Sequence, residues 1–168
     1  MRTLLLVFVV LTISACGFRM AGKADLAPEF DRTHVYYSGS AKYVSSQLRK
    51  QLEANEVDLT DKEDANMIVH LRYDRAEKKI LSVTDSGRAR EYELILDVGF
   101  DARNAEGEML LSNQNIRLTR DFLFDINDVL GKSEEEKEIY REMRKDAARL
   151  IVYRLQSIGK NPEKPAGE

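Results

Sequence analysis

The sequence predicts an α+β fold: a two-layer sandwich in which two helices pack on one face of a mixed sheet of about four strands. Three observations carry this. Two segments repeat apolar residues at helical spacing on one side only, Val44, Leu48 and Leu52 in the first and Ile139 to Ile158 in the second. Between them, residues 88–102 alternate apolar and charged for the length of a long strand, which gives one buried and one wet face. A strand, a helix and a second strand in the first half suggest a right-handed crossover joining parallel neighbours. Two one-sided helices and a one-sided sheet can bury their apolar faces only against each other.

The 168-residue chain opens with a leader. Arg2 supplies a positive n-region, Leu4–Leu11 (LLLVFVVL) an apolar stretch, and Ile13-Ser14-Ala15 the small residues at which a signal peptidase cuts. The apolar run is far shorter than the roughly 20 residues that a membrane-spanning helix needs. It is read as an export signal, residues 1–15. The next residue, Cys16, is the only cysteine of the chain, and Ile13-Ser14-Ala15-Cys16 has the form of a bacterial lipobox. The expected chemistry is a diacylglycerol on the sulfur and an N-acyl chain on the freed amine. Each buried CH₂ adds about 0.8 kcal/mol of membrane affinity, so three chains anchor far more firmly than one. The competing explanation is a small residue at an ordinary cleavage site. Gly17, in place of the Asp that retains lipoproteins at the inner membrane of enterobacteria-like cells, points to the periplasmic face of the outer membrane.

Residues 16–32 have no regular period and contain Pro28; they are read as a tether to a single domain, residues 33–158. Strand His34–Tyr37 ends at Ser38-Gly39-Ser40, with Ser40 the expected cap of the first helix, which stops near Asn55. After a brief extension at Val57–Leu59, Met67–Tyr73 forms a strand with Met67, Val69, Leu71 and Tyr73 on one side. Lys79–Thr84 leads into a turn at Asp85-Ser86-Gly87. Residues 88–102 then bury Tyr92, Leu94, Leu96, Val98 and Phe100, with Glu93, Asp97 and Asp101 opposite. Gly107 closes the next turn and Met109–Phe122 returns. A loop over 103–107 places Leu94 opposite Ile116 and Tyr92 opposite Leu118; a one-residue slip would set Arg117 beside Leu94. Residues 123–132 (LFDINDVLGK) read as a loop, and Ser133 with Glu136 has the form of a capping box for the last helix. That helix carries Ile139, Met143, Ala147, Leu150, Ile151, Leu155 and Ile158 on its stripe. Gly159 stops it, and residues 159–168 are a tail too polar to pack.

Composition narrows the function. Without its leader the chain has 25 Lys+Arg (26 less Arg2) against 29 Asp+Glu, a net charge of −4, which argues against a nucleic-acid partner. One thiol allows no disulfide within the chain. No G-x-S-x-G elbow, phosphate-binding glycine loop or H-E-x-x-H occurs, so neither an enzyme nor a resident cofactor is expected. His34 and His70 sit on different strands, where histidines are more often edge residues than ligands, and no metal site is expected. In the register above Arg90 faces Arg120, with Arg88 beyond and Lys132 in the following loop. Like charges across a ladder destabilise it. Either Glu91, Glu93 or Asp121 neutralises them as surface pairs, or an external anion such as a phosphate does.

Several stretches resemble the LPS-assembly lipoprotein LptE (RlpB) family. They are Ala15-Cys16-Gly17-Phe18-Arg19, Gly87-Arg88-Ala89-Arg90-Glu91-Tyr92-Glu93-Leu94, Ile116-Arg117-Leu118-Thr119-Arg120-Asp121-Phe122, and the helix segment from Tyr140 to Leu155 (YREMRKDAARLIVYRL). The resemblance implies a non-enzymatic outer-membrane lipoprotein that forms a 1:1 heterodimer with the LptD β-barrel. It would plug the barrel's lumen, assist its assembly and help deliver lipopolysaccharide to the cell surface. Lipopolysaccharide binding through basic residues near one end of the sheet is also implied. By spacing from Arg120, Lys132 matches one such lysine; a second basic position falls on Asp85-Ser86 here, and Arg88 and Arg90 beyond Gly87 are the substitutes. A barrel lumen is polar, and Glu93, Asp97, Asp101 and Arg103 would meet it. The alternative from another class is a lipid-tethered periplasmic carrier or chaperone for an amphipathic ligand.

Overall fold

In a computed structural model, residues 31–125 and 127–158 are described. The leader, Cys16, the tether up to residue 30 and the polar tail fall outside these residues. Five strands and two helices follow in the order β1 (Arg32–Tyr37), α1 (Lys42–Ala54), β2 (Asp58–Leu59), β3 (Met67–Val83), β4 (Ala89–Asn104), β5 (Met109–Leu123) and α2 (Val129–Ile158). They form one sheet of order β2-β1-β3-β4-β5. β1 runs parallel to β2 and β3, whereas β3, β4 and β5 form an antiparallel meander. The α+β sandwich is as expected, with five strands rather than about four: the extension at Val57–Leu59 pairs with Arg32 and Thr33 as a two-residue edge strand.

Both helices cover one face. Val44, Leu48 and Leu52 of α1 and Met143, Ala147, Ile151 and Leu155 of α2 are fully buried against Met67, Val69 and Leu71 of β3 and Leu94, Leu96, Val98 and Phe100 of β4. Burying a side chain of this size stabilises by about 1.5–3 kcal/mol. The stripe of α2 differs at one place from the sequence reading. Leu150 is 41% exposed, and Ala148 and Val152 are buried beside Ile151 instead, because the helix packs on a stripe broader than a strict every-fourth repeat.

The structure corrects the strand boundaries and register. Met67–Tyr73 and Lys79–Val83 are parts of one strand, β3, whose middle is wet on both faces and so shows no alternation, and Thr84 belongs to the turn. A bulge at Arg72 shifts the pairing between Leu71 and Tyr73. It turns Tyr73 away from the helices and brings Asp74 to the buried side, so Tyr73 does not share a side with Leu71. In the β4–β5 hairpin the turn closes with Asn104 N–H donating to the Glu108 carbonyl at 3.0 Å, and Gly107 takes φ +90°. Irregularities between Phe100 and Arg103 then place extra β5 residues in the ladder, at Asn113 with φ +50°. Asp101 stabilises the bulge by accepting the Asn113 N–H at 2.8 Å. As a result Leu94 faces Arg120, and Val98 faces Ile116. The displacement of four is even, so each side chain keeps its face while its partner changes.

Two caps are also corrected. Ser40 lies in a 3₁₀ turn (Gly39–Ala41) and makes no cap bond; its hydroxyl accepts the Asp74 N–H at 3.3 Å, and Asn55 ends α1 as expected. α2 starts at Val129 rather than at Ser133. The Asp128 carboxylate accepts the Gly131 N–H at 3.1 Å, which serves the orphan donors of the first turn in place of a Ser133 box. Residues 129–132 are therefore helical, not loop.

Candidate basic cleft at one end of the sheet

β3 and β4 run beyond the helices to a turn in which Gly87, at φ +76°, lets Thr84 and Arg88 close on each other. On the way back β4 carries Arg88 and Arg90. Phe124, just past β5, donates its N–H to the Arg90 carbonyl at 2.9 Å and sets its ring edge-on to Tyr92, centroids 6.0 Å apart. Between the turn and this segment lies a cleft of about 650 Å³, lined among others by Arg88, Arg90, Tyr92, Leu123 and Phe124. Both arginines are exposed, and among the described residues neither has a carboxylate within ion-pair distance. Two free guanidinium forks over an aromatic and aliphatic wall can grip an anionic group bidentately and receive apolar surface beside it.

Lys132 lies beside Phe122, outside the lining of the cleft. Its ammonium is 5.7 Å from the Phe122 ring centroid and 2.7 Å from Glu135. Phe122 pairs across the ladder with Tyr92. The structure thus gathers Arg88, Arg90 and Lys132 around one aromatic patch. Arg120 departs from the expectation: it does not oppose Arg90, because of the register, and its guanidinium is drawn along β5 to Asp146 of α2 at 2.9 Å. The anticipated Arg90–Arg120 repulsion is absent.

One basic residue of this patch was not foreseen. Lys78 of β3 places its ammonium 4.2 Å from the Tyr92 centroid, 5.1 Å from Phe122 and 5.6 Å from Phe124, and 2.5 Å from Glu136. The backbone carbonyl of its neighbour Glu77 accepts a hydrogen bond from the Tyr140 hydroxyl of α2 at 2.6 Å. Burial, aided by Glu136, pushes the Tyr140 hydroxyl up to about 12, so it remains a donor at neutral pH. The signal for Lys78 was hidden in the polar run Asp74–Lys78, which shows no alternation.

The opposite, open face of the sheet is charged, as alternation requires. Asp101 pairs with Arg72 at 3.2 Å, Asp97 approaches Arg117 at 3.7 Å, and Tyr36 stacks on His70 at 4.3 Å. Burial lowers the His70 pKa, with Asp101 opposing and Arg72 and Arg103 adding to the shift. His34 contacts the Thr60 carbonyl at 2.9 Å. No group of three or more potential metal ligands occurs among the described residues.

Comparison with known proteins gives concordant results. A family model described as "LptE: Lipopolysaccharide-assembly" matches residues 29–155. The LPS-assembly lipoprotein LptE of Photorhabdus laumondii is 29% identical over 167 residues, covering 99% of this chain and 91% of the relative. The LPS-assembly lipoprotein LptE of Yersinia pestis is 25% identical and covers 99% and 84%. Among solved structures, the rare lipoprotein B of Shewanella oneidensis superposes with a TM-score of 0.69 at 30% identity, covering 79% of this chain and 99% of the other. A lipoprotein B from Nitrosomonas europaea gives 0.71 at 30%, covering 86% and 93%.

Proposed function

This chain belongs to the LptE family of lipopolysaccharide-assembly lipoproteins, and we propose that it acts at the outer membrane with the LptD β-barrel, as plug and assembly factor in lipopolysaccharide transport. The family is one of transport and assembly proteins and is not a known enzyme family. Cys16 carries the anchor in this reading, a diacylglycerol thioether and an N-acyl chain that hold the domain to the inner leaflet. The charged open face, with Asp97, Asp101 and Arg103, suits the polar interior of a barrel.

Lipopolysaccharide is bound, in this proposal, at the basic end of the sheet. The observation that carries the assignment is the pair of unneutralised arginines, Arg88 and Arg90, in a cleft walled by Tyr92, Leu123 and Phe124. Lys132 contributes across Phe122, and Arg120 serves from β5 when a ligand competes with Asp146. The cleft lies within the range of about 300–1,000 Å³ common to small-molecule sites. It is thus sized for a phosphorylated sugar and its nearest atoms, not for a whole lipopolysaccharide.

Replacing Arg88, Arg90 and Lys132 together with Gln tests the site. Three lost charge-assisted bonds, discounted for exposure, should weaken binding to purified lipopolysaccharide at least about tenfold. Unchanged affinity would retire the site.

A further inference from the structure

Lys78 and Lys132 are neutralised from one place, the first turns of α2, where Glu136 and Glu135 follow one another in sequence. The rings of Tyr92 and Phe122 hold the lysine heads in position by cation–π contact. Tyr92 also walls the cleft of Arg88 and Arg90. Lys78 thus lies against one ring of the cleft wall and Lys132 against that ring's cross-strand partner, each with a carboxylate where a ligand anion could bind. Such partly exposed pairs contribute little to stability. A phosphate carries about −1.5 to −2 charges and three acceptor oxygens, so it outcompetes a single carboxylate for the same donors.

We propose that Lys78 is an additional phosphate-binding residue of this cleft and that Glu135 and Glu136 are built-in competitors which the phosphate of a glycolipid displaces. This rests on the lipopolysaccharide reading and adds to it an exchange: the lysines leave their carboxylates as the ligand enters. The exchange keeps the empty site from presenting four bare cations to any passing anion. It also places a ligand-sensitive contact at the start of α2, since the Lys78–Glu136 pair joins that helix to β3.

The test measures affinity of the full-length mature protein for bisphosphorylated lipid A in neutral detergent near 0.15 M salt, where surface charges beyond about 8 Å are screened. Glu136→Gln and Glu135→Gln should each tighten binding about two- to fivefold, the ratio expected for a weak competing pair. Glu138→Gln makes the same change of charge on a residue paired with Arg141 instead, and should leave affinity unchanged. Lys78→Gln should weaken binding about three- to tenfold. In the Lys78→Gln background Glu136→Gln should give no gain, a coupling that general loosening of the helix would not produce. Dephosphorylated lipid A should respond to none of these changes. Should Glu136→Gln bind no tighter, or Lys78→Gln bind equally well while Arg88→Gln and Arg90→Gln lose affinity, the exchange is wrong and the site stands. Loss of neither arginine mattering would instead overturn the lipopolysaccharide site itself.

Discussion

At the scale of single residues, the strongest polar constraint is one that neither composition nor periodicity discloses. Asp74, turned inward by the bulge at Arg72, is 4% exposed and receives a two-pronged grip from Arg144 of α2, at 2.7 and 3.2 Å. Arg144 in turn lies over the Tyr43 ring of α1 at 5.2 Å, so this pair links β3 to both helices. A buried carboxylate deprived of its partner keeps its desolvation penalty. Arg144→Ala should therefore destabilise the fold by about 3–5 kcal/mol, measured by urea unfolding, whereas the double change Asp74→Leu with Arg144→Met should recover most of the loss. Equal stability of Arg144→Ala and the parent would contradict this role. In the sequence Asp74 sits in Asp-Arg-Ala-Glu-Lys-Lys and Arg144 on the charged side of a helix, and each looks like solvated surface. Only a backbone irregularity brings them inward, and no side-chain pattern announces it.

At the scale of elements, what could be read in advance depended on how each side chain's surroundings differ between faces. β4 was legible because Leu94, Leu96, Val98 and Phe100 are buried while Asp97 and Asp101 look outward. β3 beyond Asp74 was not, since Arg75–Leu81 are exposed on either face and the alternation is lost. The faces of Ile116 and Leu118 in β5 were legible, but not their partners across the ladder. Extra residues near Asn113 move the pairing by two, and a turn centred one residue later than a loop over 103–107 accounts for the other two. That error produced the expected Arg90–Arg120 clash, which the observed register removes. β4 also contains a site where the sheet depends on a missing side chain. Gly99 lies beneath the Tyr73 ring, and a Cβ there would come within 2.4–2.5 Å of ring atoms. Gly99→Ala should push the ring off the open face, break its 3.3 Å hydrogen bond to Asn115 and cost about 1–3 kcal/mol by overpacking, read as a lower unfolding midpoint. A midpoint equal to the parent's would show that the ring moves freely.

At the scale of the whole molecule, the sandwich separates two kinds of surface. One face of the sheet is spent on the helices, the other is open and charged, and the basic cleft stands at the end where β3 and β4 outrun both layers. Such a division suits the proposed role, in which the open face would meet a barrel lumen and the tip a phosphorylated lipid. The cleft sets the two arginines beside Thr84, Ser86 and Asp125 and an apolar wall of Tyr92, Leu123 and Phe124. Membership of a lipopolysaccharide-assembly lipoprotein family agrees with an outer-membrane lipoprotein. The central claim is partnership with the barrel, and extraction of native outer membranes in mild detergent, followed by affinity isolation of this protein and native mass measurement, tests it most directly. A single species with the mass of one lipidated chain plus one LptD barrel is expected; recovery of the chain alone, with no barrel bound, would contradict it and favour a tethered carrier.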